Sequence, residues 1–150
     1  MNDKDNLNRE LTHLLNSQRL AALATHHSGQ PYASLVSFAA TPDLRQLLFA
    51  TTRSTRKYAN LSSDPRAAML LDNRSNEETD IHSAIAVTAT GTVWELSNYE
   101  RTKALSLYLA KHPYLEEFVN APSCALFKLT IRTYYLVTRF QNVVEIHMPL

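Results

Sequence analysis

Leu47-Leu48-Phe49-Ala50-Thr51-Thr52-Arg53-Ser54-Thr55-Arg56-Lys57-Tyr58-Ala59-Asn60 is the stretch whose reading decides the fold of this chain. Its first four residues are apolar and predict a strand. A helix follows from about Thr55 to Ser63 and stops at Asp64-Pro65, because proline turns the residue before it away from helix. Hydroxyls and the cations Arg53, Arg56 and Lys57 therefore gather where a strand hands over to a helix start. Unpaired N–H groups and the positive end of the helix dipole point outward there, which makes the junction a ready phosphate site. Taken alone, the same three cations read more readily as a solvated helix face.

Moving outward, the flanking segments read as strands in hairpin order. Upstream, Tyr32 to Ala40 sets Ser34, Val36 and Phe38 on one face and Leu35, Ser37 and Ala39 on the other. Thr41-Pro42-Asp43 is a turn, and Gln46 to Thr52 is the strand that carries the junction. Before them, Leu20 to Thr25 is a strand, and His27-Ser28-Gly29-Gln30 a turn. Pro31 is unsuited to the middle of a central strand. Leu7, Leu11, Leu14 and Leu15 fall on one helical face. Downstream, Arg66 to Asp72 is apolar enough to suggest burial on both faces. Asn73 to Asp80 reads as a polar loop, and Ala84 to Leu96 as a long strand. A helix follows in which Leu105, Tyr108, Leu109 and His112 share a face. It closes at Pro113, with a short helical piece over Tyr114 to Val119. Ala125 to Thr133 is a sixth strand, and Tyr134 to Met148 continues in extended form. Six or seven strands with few helices predict an all-β dominated chain, an antiparallel barrel with helices outside it. The 150 residues form one domain, 1–150.

Composition narrows the function. A net charge of +1 lacks the basic footprint of a nucleic-acid binder. No apolar run approaches the roughly 20 residues of a membrane span. The start, Met1-Asn2-Asp3-Lys4-Asp5, lacks the basic-then-apolar order of a signal peptide. Cys124 is the only cysteine, so the expectation is a reduced, cytoplasmic protein. Gly29 and Gly91 are the only glycines, and two distant glycines cannot build a glycine-rich phosphate loop. Side chains and a helix end must hold any phosphate. His26 and His27 point to opposite faces of a strand and cannot chelate together, and no metal signature is present elsewhere. Asn60 reads as an ordinary helix residue or as one reaching back to the site. Arg66 reads as an ion-pair partner near the turn. Trp94, Tyr99, Tyr134, Tyr135 and Phe140 read as core and interface residues, and Cys124 as a small buried hydrophobe.

The order of these motifs resembles a known family. Pro31-Tyr32-Ala33-Ser34-Leu35-Val36-Ser37-Phe38, Leu48-Phe49-Ala50-Thr51, Ser54-Thr55-Arg56-Lys57-Tyr58-Ala59-Asn60-Leu61 and Asp64-Pro65-Arg66-Ala67-Ala68-Met69-Leu70-Leu71 together are similar to the pyridoxamine 5′-phosphate oxidase-like family of FMN-binding split barrels, over residues 10–96. The resemblance implies a split antiparallel β-barrel of six to seven strands. It implies FMN as cofactor, with Thr55, Arg56 and Lys57 on its phosphate and Thr51 and Thr52 near the ribityl chain or ring. Ser34, Leu35, Val36 and Ser37 would line the isoalloxazine edge. It implies a homodimer with the cofactor at the subunit interface, where Arg74, Asn76 or His82 would complete the partner's site. The chain departs from the long oxidases at Ala84-Ile85-Ala86-Val87, where they place a glutamine before the glycine matching Gly91. Their C-terminal substrate-gripping Arg and His pattern is also missing. The implied function is an FMN-dependent oxidoreductase acting on a small molecule. The alternatives are a non-catalytic flavin- or haem-binding or storage protein, with His147 as a possible haem ligand, and a deazaflavin-dependent reductase.

Overall fold

The computed structural model describes residues 3–138 and 142–149. Helix α1 (Asp3–Ser17) precedes strands β1 (Leu20–His27), β2 (Gln30–Ala40) and β3 (Gln46–Thr52). Helix α2 (Arg56–Ser63), strand β4 (Arg66–Asp72), the short helix α3 (Asp80–Ser83) and strand β5 (Ala86–Glu95) follow. Helix α4 (Asn98–Lys111), a 3-10 turn (Pro113–Leu115) and helix α5 (Glu116–Asn120) lead into β6 (Cys124–Thr138) and β7 (Asn142–His147). The strands lie in the order β3-β2-β1-β4-β5-β6-β7, and β3 also pairs with β6. That pairing closes a six-stranded antiparallel barrel, with β7 added at β6. Every pairing is antiparallel. The fold is a split barrel of the expected type.

Local chemistry explains the turns. Ser28 and Gly29 both have positive φ, 49° and 83°, and join β1 to β2 as a two-residue hairpin loop whose twist matches the strands. Pro31 lies inside β2, opposite His26 of β1. It is tolerated because β3 pairs only with Phe38 to Ala40, so the first half of β2 has one open edge. In the β2–β3 turn, Thr41 Oγ1 (2.7 Å) and Arg45 N–H (3.0 Å) donate to the Asp43 carboxylate, which lowers its pKa.

The barrel interior is filled by the inward residues of each strand, including Leu23, Phe38, Phe49, Met69, Phe127 and Leu136. Phe49 stacks on Phe127 with ring centroids 5.2 Å apart. Helix α1 lays Leu11, Leu14 and Leu15 on this core, as their spacing requires. A second cluster packs Tyr108 and Val119, from α4 and α5, against Ala39, Leu48, Ala50 and Leu126 on the outside of β2, β3 and β6.

Three expectations change. Strand β4 is buried on one face only: Met69 and Leu71 point inward, while Leu70 is 46% exposed. Its apolar outer face reflects the sheet surface it shares with Ala22 and Leu35, paired neighbours across β1 and β2. Strand β6 runs unbroken to Thr138, because β5 and then β7 pair with its second half. Strand β5 starts at Ala86, because Ile85 exchanges hydrogen bonds with Asn73 to close the preceding loop. Within that loop the Asp80 carboxylate accepts N–H bonds from Ser75, Asn76 and Glu77, which depresses its pKa. Gly91 sits where the β5–β6 register shifts, and a Cβ there would lie 1.9 Å from the Thr130 carbonyl oxygen. Only glycine permits that approach. Phe140 lies outside the described residues.

Candidate functional site

The β3–α2 junction opens into a surface cavity of about 320 Å³. Its lining includes Leu35, Val36 and Ser37 of β2 and Ala50, Thr51 and Thr52 of β3. Thr55 and Lys57 from the start of α2 and Tyr108, Leu115 and Phe118 from α4 and the elements after it complete the lining. Seven of the ten residues expected at the cofactor thus line one cavity: Leu35, Val36, Ser37, Thr51, Thr52, Thr55 and Lys57.

Thr55 is the N-cap of α2. Its hydroxyl donates to the Thr52 carbonyl (3.0 Å) and accepts from Tyr58 N–H (3.3 Å). Thr51 Oγ1 stands 2.9 Å from Thr55 Oγ1 and is buried. The single Thr55 proton already has a protein acceptor. Its contribution is therefore a shaped helix start, and the N–H groups of Arg56 and Lys57, ahead of the first intrahelical bonds, are the donors it presents. Lys57 is half-buried on the cavity rim.

The other three residues are placed elsewhere. Ser34 points to the same side of β2 as the core residues Val36 and Phe38, and its buried hydroxyl has no partner. Arg56 is exposed and does not line the cavity. Arg74 pairs with Asp72 at 3.2 Å, in the loop before α3. Arg53, the third cation of the motif, turns the other way. It pairs with Glu95 at 2.9 Å and donates to the Pro122 carbonyl at 2.9 Å, tying the end of β3 to β5 and to the loop before β6. Tyr58 OH also donates to Glu95.

Asn60 takes a third course, neither surface nor site. It is 2% exposed and donates to Thr25 Oγ1 at 3.0 Å, pinning α2 to β1. Asp64 caps the end of α2 and binds Arg66 (2.7 Å) and His26 (3.0 Å). The Arg66 guanidinium holds its carboxyl well below the usual range.

Tyr108, Leu115 and Phe118 lie outside the residues that the sequence assigns to the site. Tyr108 OH donates to the Ser37 carbonyl (3.4 Å), and burial pushes its pKa up. His112, fully buried, sits 2.7 Å from the Phe38 carbonyl through Nε2 and 3.0 Å from Tyr114 OH through Nδ1. A carbonyl only accepts, so Nε2 carries the proton and Nδ1 accepts from Tyr114. These bonds hold α4 and its following turn on β2. The sequence signal was present, since Tyr108 and His112 share a helical face, but nothing in it named β2 as their target.

A scan of family models matches residues 7–138 to pyridoxamine 5′-phosphate oxidase. The chain belongs to the pyridoxamine 5′-phosphate oxidase family. A search of curated proteins finds no match. Among solved structures, ChuZ of Campylobacter jejuni superposes with a TM-score of 0.82 at 16% identity, covering 98% of this chain and 61% of that one. The haem binding protein of Mycobacterium smegmatis gives 0.80 at 18%, covering 89% and 55%. An FAD-binding protein of Mesorhizobium loti gives 0.69 at 18%, covering 86% and 90%. This chain therefore spans just over half the length of the mycobacterial protein. At such identities the likeness establishes the fold, and it agrees with the split barrel of the oxidase family.

Other expected residues are now placed on that family framework. Cys124 is 2% exposed, and burial raises its thiol pKa. Tyr134 is core, donating to the Leu44 carbonyl at 2.6 Å, but Trp94 and Tyr99 are 56% and 80% exposed. His147 lies near Thr133 Oγ1 (3.1 Å) and Glu145 (3.6 Å) on β7, and does not line this cavity. Among the described residues no group of three His, Cys, Asp or Glu could hold a metal ion. No helix of the described residues is long and apolar enough to cross a membrane.

Proposed function

We propose that this chain binds FMN in the β2–β3–α2 cavity and acts as an FMN-dependent oxidoreductase on a small molecule. One observation carries the reading: the capped start of α2, Lys57 and buried Thr51 line one cavity together with the apolar Leu35, Leu115 and Phe118. A phosphate dianion suits the cation and the free N–H groups. Leu35, Leu115 and Phe118 suit the face of an aromatic ring system. Flavin supplies the redox chemistry when bound. The protein's part is to grip the phosphate, orient the ring and limit water. Among the described residues the lining offers no histidine, cysteine or methionine to ligate haem iron, and the Tyr108 hydroxyl is held by the Ser37 carbonyl. These features favour flavin over the haem of the mycobacterial neighbour.

A homodimer is part of the proposal. Leu20, Leu35 and Leu70 are exposed on the outer face of β1, β2 and β4, and Leu35 also borders the cavity. A second copy docked there would cover that face and close the cofactor's open side. Arg74 would then be a candidate to reach the partner's site. The free, buried Cys124 fits a reducing, cytoplasmic setting.

The absorption spectrum of freshly purified protein tests the reading. Bands near roughly 370 and 450 nm are expected from bound flavin. A colourless protein that leaves the fluorescence of added FMN unquenched would sink it, and a single intense band near roughly 400 nm would transfer the site to haem.

A further inference from the structure

At the other end of β3 lies a second, larger groove of about 840 Å³ that shares no residue with the cavity above. Strand β3 begins at Gln46 in this groove and ends at Thr51 and Thr52 in the other, about 20 Å away at strand rise. The groove is built by the irregularity between β5 and β6. Gly91 allows the two backbones to close up there, and Arg132 becomes the extra residue between Ile131 and Thr133. Arg45 is fixed beside it, because Ile131 N–H donates to the Arg45 carbonyl at 2.8 Å. The segment after β7 is held there too, as Met148 N–H donates to the Arg132 carbonyl at 2.9 Å.

The lining includes three arginines, Arg45, Arg66 and Arg132, and among the described residues no carboxylate. Arg66 is engaged by Asp64. Arg45 and Arg132 have no ion pair among the described residues; the arginine pairs are those of Arg53, Arg66 and Arg74. Asp43, the carboxylate nearest Arg45 in sequence, accepts from Thr41 Oγ1 and from the Arg45 backbone N–H, and feels the Arg45 charge without forming an ion pair with it. Trp94 stands on the rim, more than half exposed, two residues from Thr92 and on the same face. An exposed indole beside two guanidinium forks that form no ion pair among the described residues is a recognition surface for a planar ring that carries an anion.

We infer that this groove is a second binding site, for a phosphorylated ligand with a planar aromatic ring, of which a nucleotide is the general form. Arg45 and Arg132 take the phosphate and Trp94 stacks on the ring. The site is separate from the flavin cavity and stands whether or not that cavity holds FMN. Its distance from the cavity in one protomer gives it a binding role and no part in the redox step.

Trp94 is the only tryptophan of the chain, so at a fixed flavin content its fluorescence reports this groove. ADP titrated into the full chain should quench it saturably. Adenosine should not, and inorganic phosphate should displace ADP. Arg45→Gln and Arg132→Gln should each weaken ADP by about ten-fold or more, the loss of a charged hydrogen bond. Lys57→Met should leave ADP affinity unchanged while weakening FMN. Trp94 fluorescence unmoved by ADP up to about 1 mM would overturn the inference. So would undiminished binding to both arginine variants, or a loss of ADP binding in Lys57→Met, which would place the nucleotide in the other cavity. Displacement by phosphate is read on the unmodified chain, so the outcome does not depend on how any variant folds.

Discussion

Replacing Lys57 by methionine separates the proposed phosphate grip from the other parts of the candidate site. Methionine keeps the apolar stem and helix propensity and removes only the charge. Lys57 lines the cavity and is half-buried, so its ammonium would meet the phosphate in partly desolvated surroundings. A charged hydrogen bond of that kind is worth about 1.5–3 kcal/mol, so FMN affinity should fall roughly 10- to 150-fold. Arg56 sits one residue earlier but outside the cavity and in solvent. Arg56→Met should cost no more than about 1 kcal/mol, under roughly 5-fold, and that loss should shrink with added salt. The start of α2 keeps its N–H groups and dipole in both variants, so neither should abolish binding. Quenching of flavin fluorescence gives both affinities. Riboflavin, which lacks the phosphate, is the control and should bind each variant as it binds the parent. An equal loss of FMN and riboflavin in Lys57→Met would refute the phosphate placement. A loss in Arg56→Met as large as in Lys57→Met would refute the division between a lining and a solvated cation.

Further expectations concern the framework. Asn60→Ala leaves buried Thr25 Oγ1 without its donor and should lower stability by about 1–3 kcal/mol in urea denaturation, with α2 loosened first. Gly91→Ala forces a Cβ to within 1.9 Å of the Thr130 carbonyl and should destabilise by about 3 kcal/mol, visible as a lower melting temperature. Burial lowers the pKa of His112, a base, so the folded chain binds its proton less well than the unfolded chain does. Stability should therefore be full above the ordinary histidine value of 6.5 and fall as pH drops below it, a slope that His112→Gln should flatten in denaturation curves taken across that range.

Local order in the chain determined much of this protein. The alternation of apolar residues set the strands, and the i, i+3, i+4 spacing of leucines set α1, since both periods depend on chain neighbours. Ser28-Gly29 and Thr41 to Asp43 carried their turn chemistry in themselves. The scarcity of glycine and the Thr55-Arg56-Lys57 run pointed to a helix end as the candidate anion site without any long-range information. Tertiary structure decided which of those cations face the cavity. Arg53 is drawn to Glu95, 42 residues away in sequence, because β3 and β5 both pair with β6. Asn60 becomes buried because α2 lies on β1, and β4 is one-sided because its outer face belongs to an open sheet surface. Leu115 and Phe118 reach the site because Tyr108 and His112 bond to β2 backbone carbonyls. Backbone carbonyls are present at every residue, so sequence alone does not distinguish the ones a distant side chain will find; the closed barrel does.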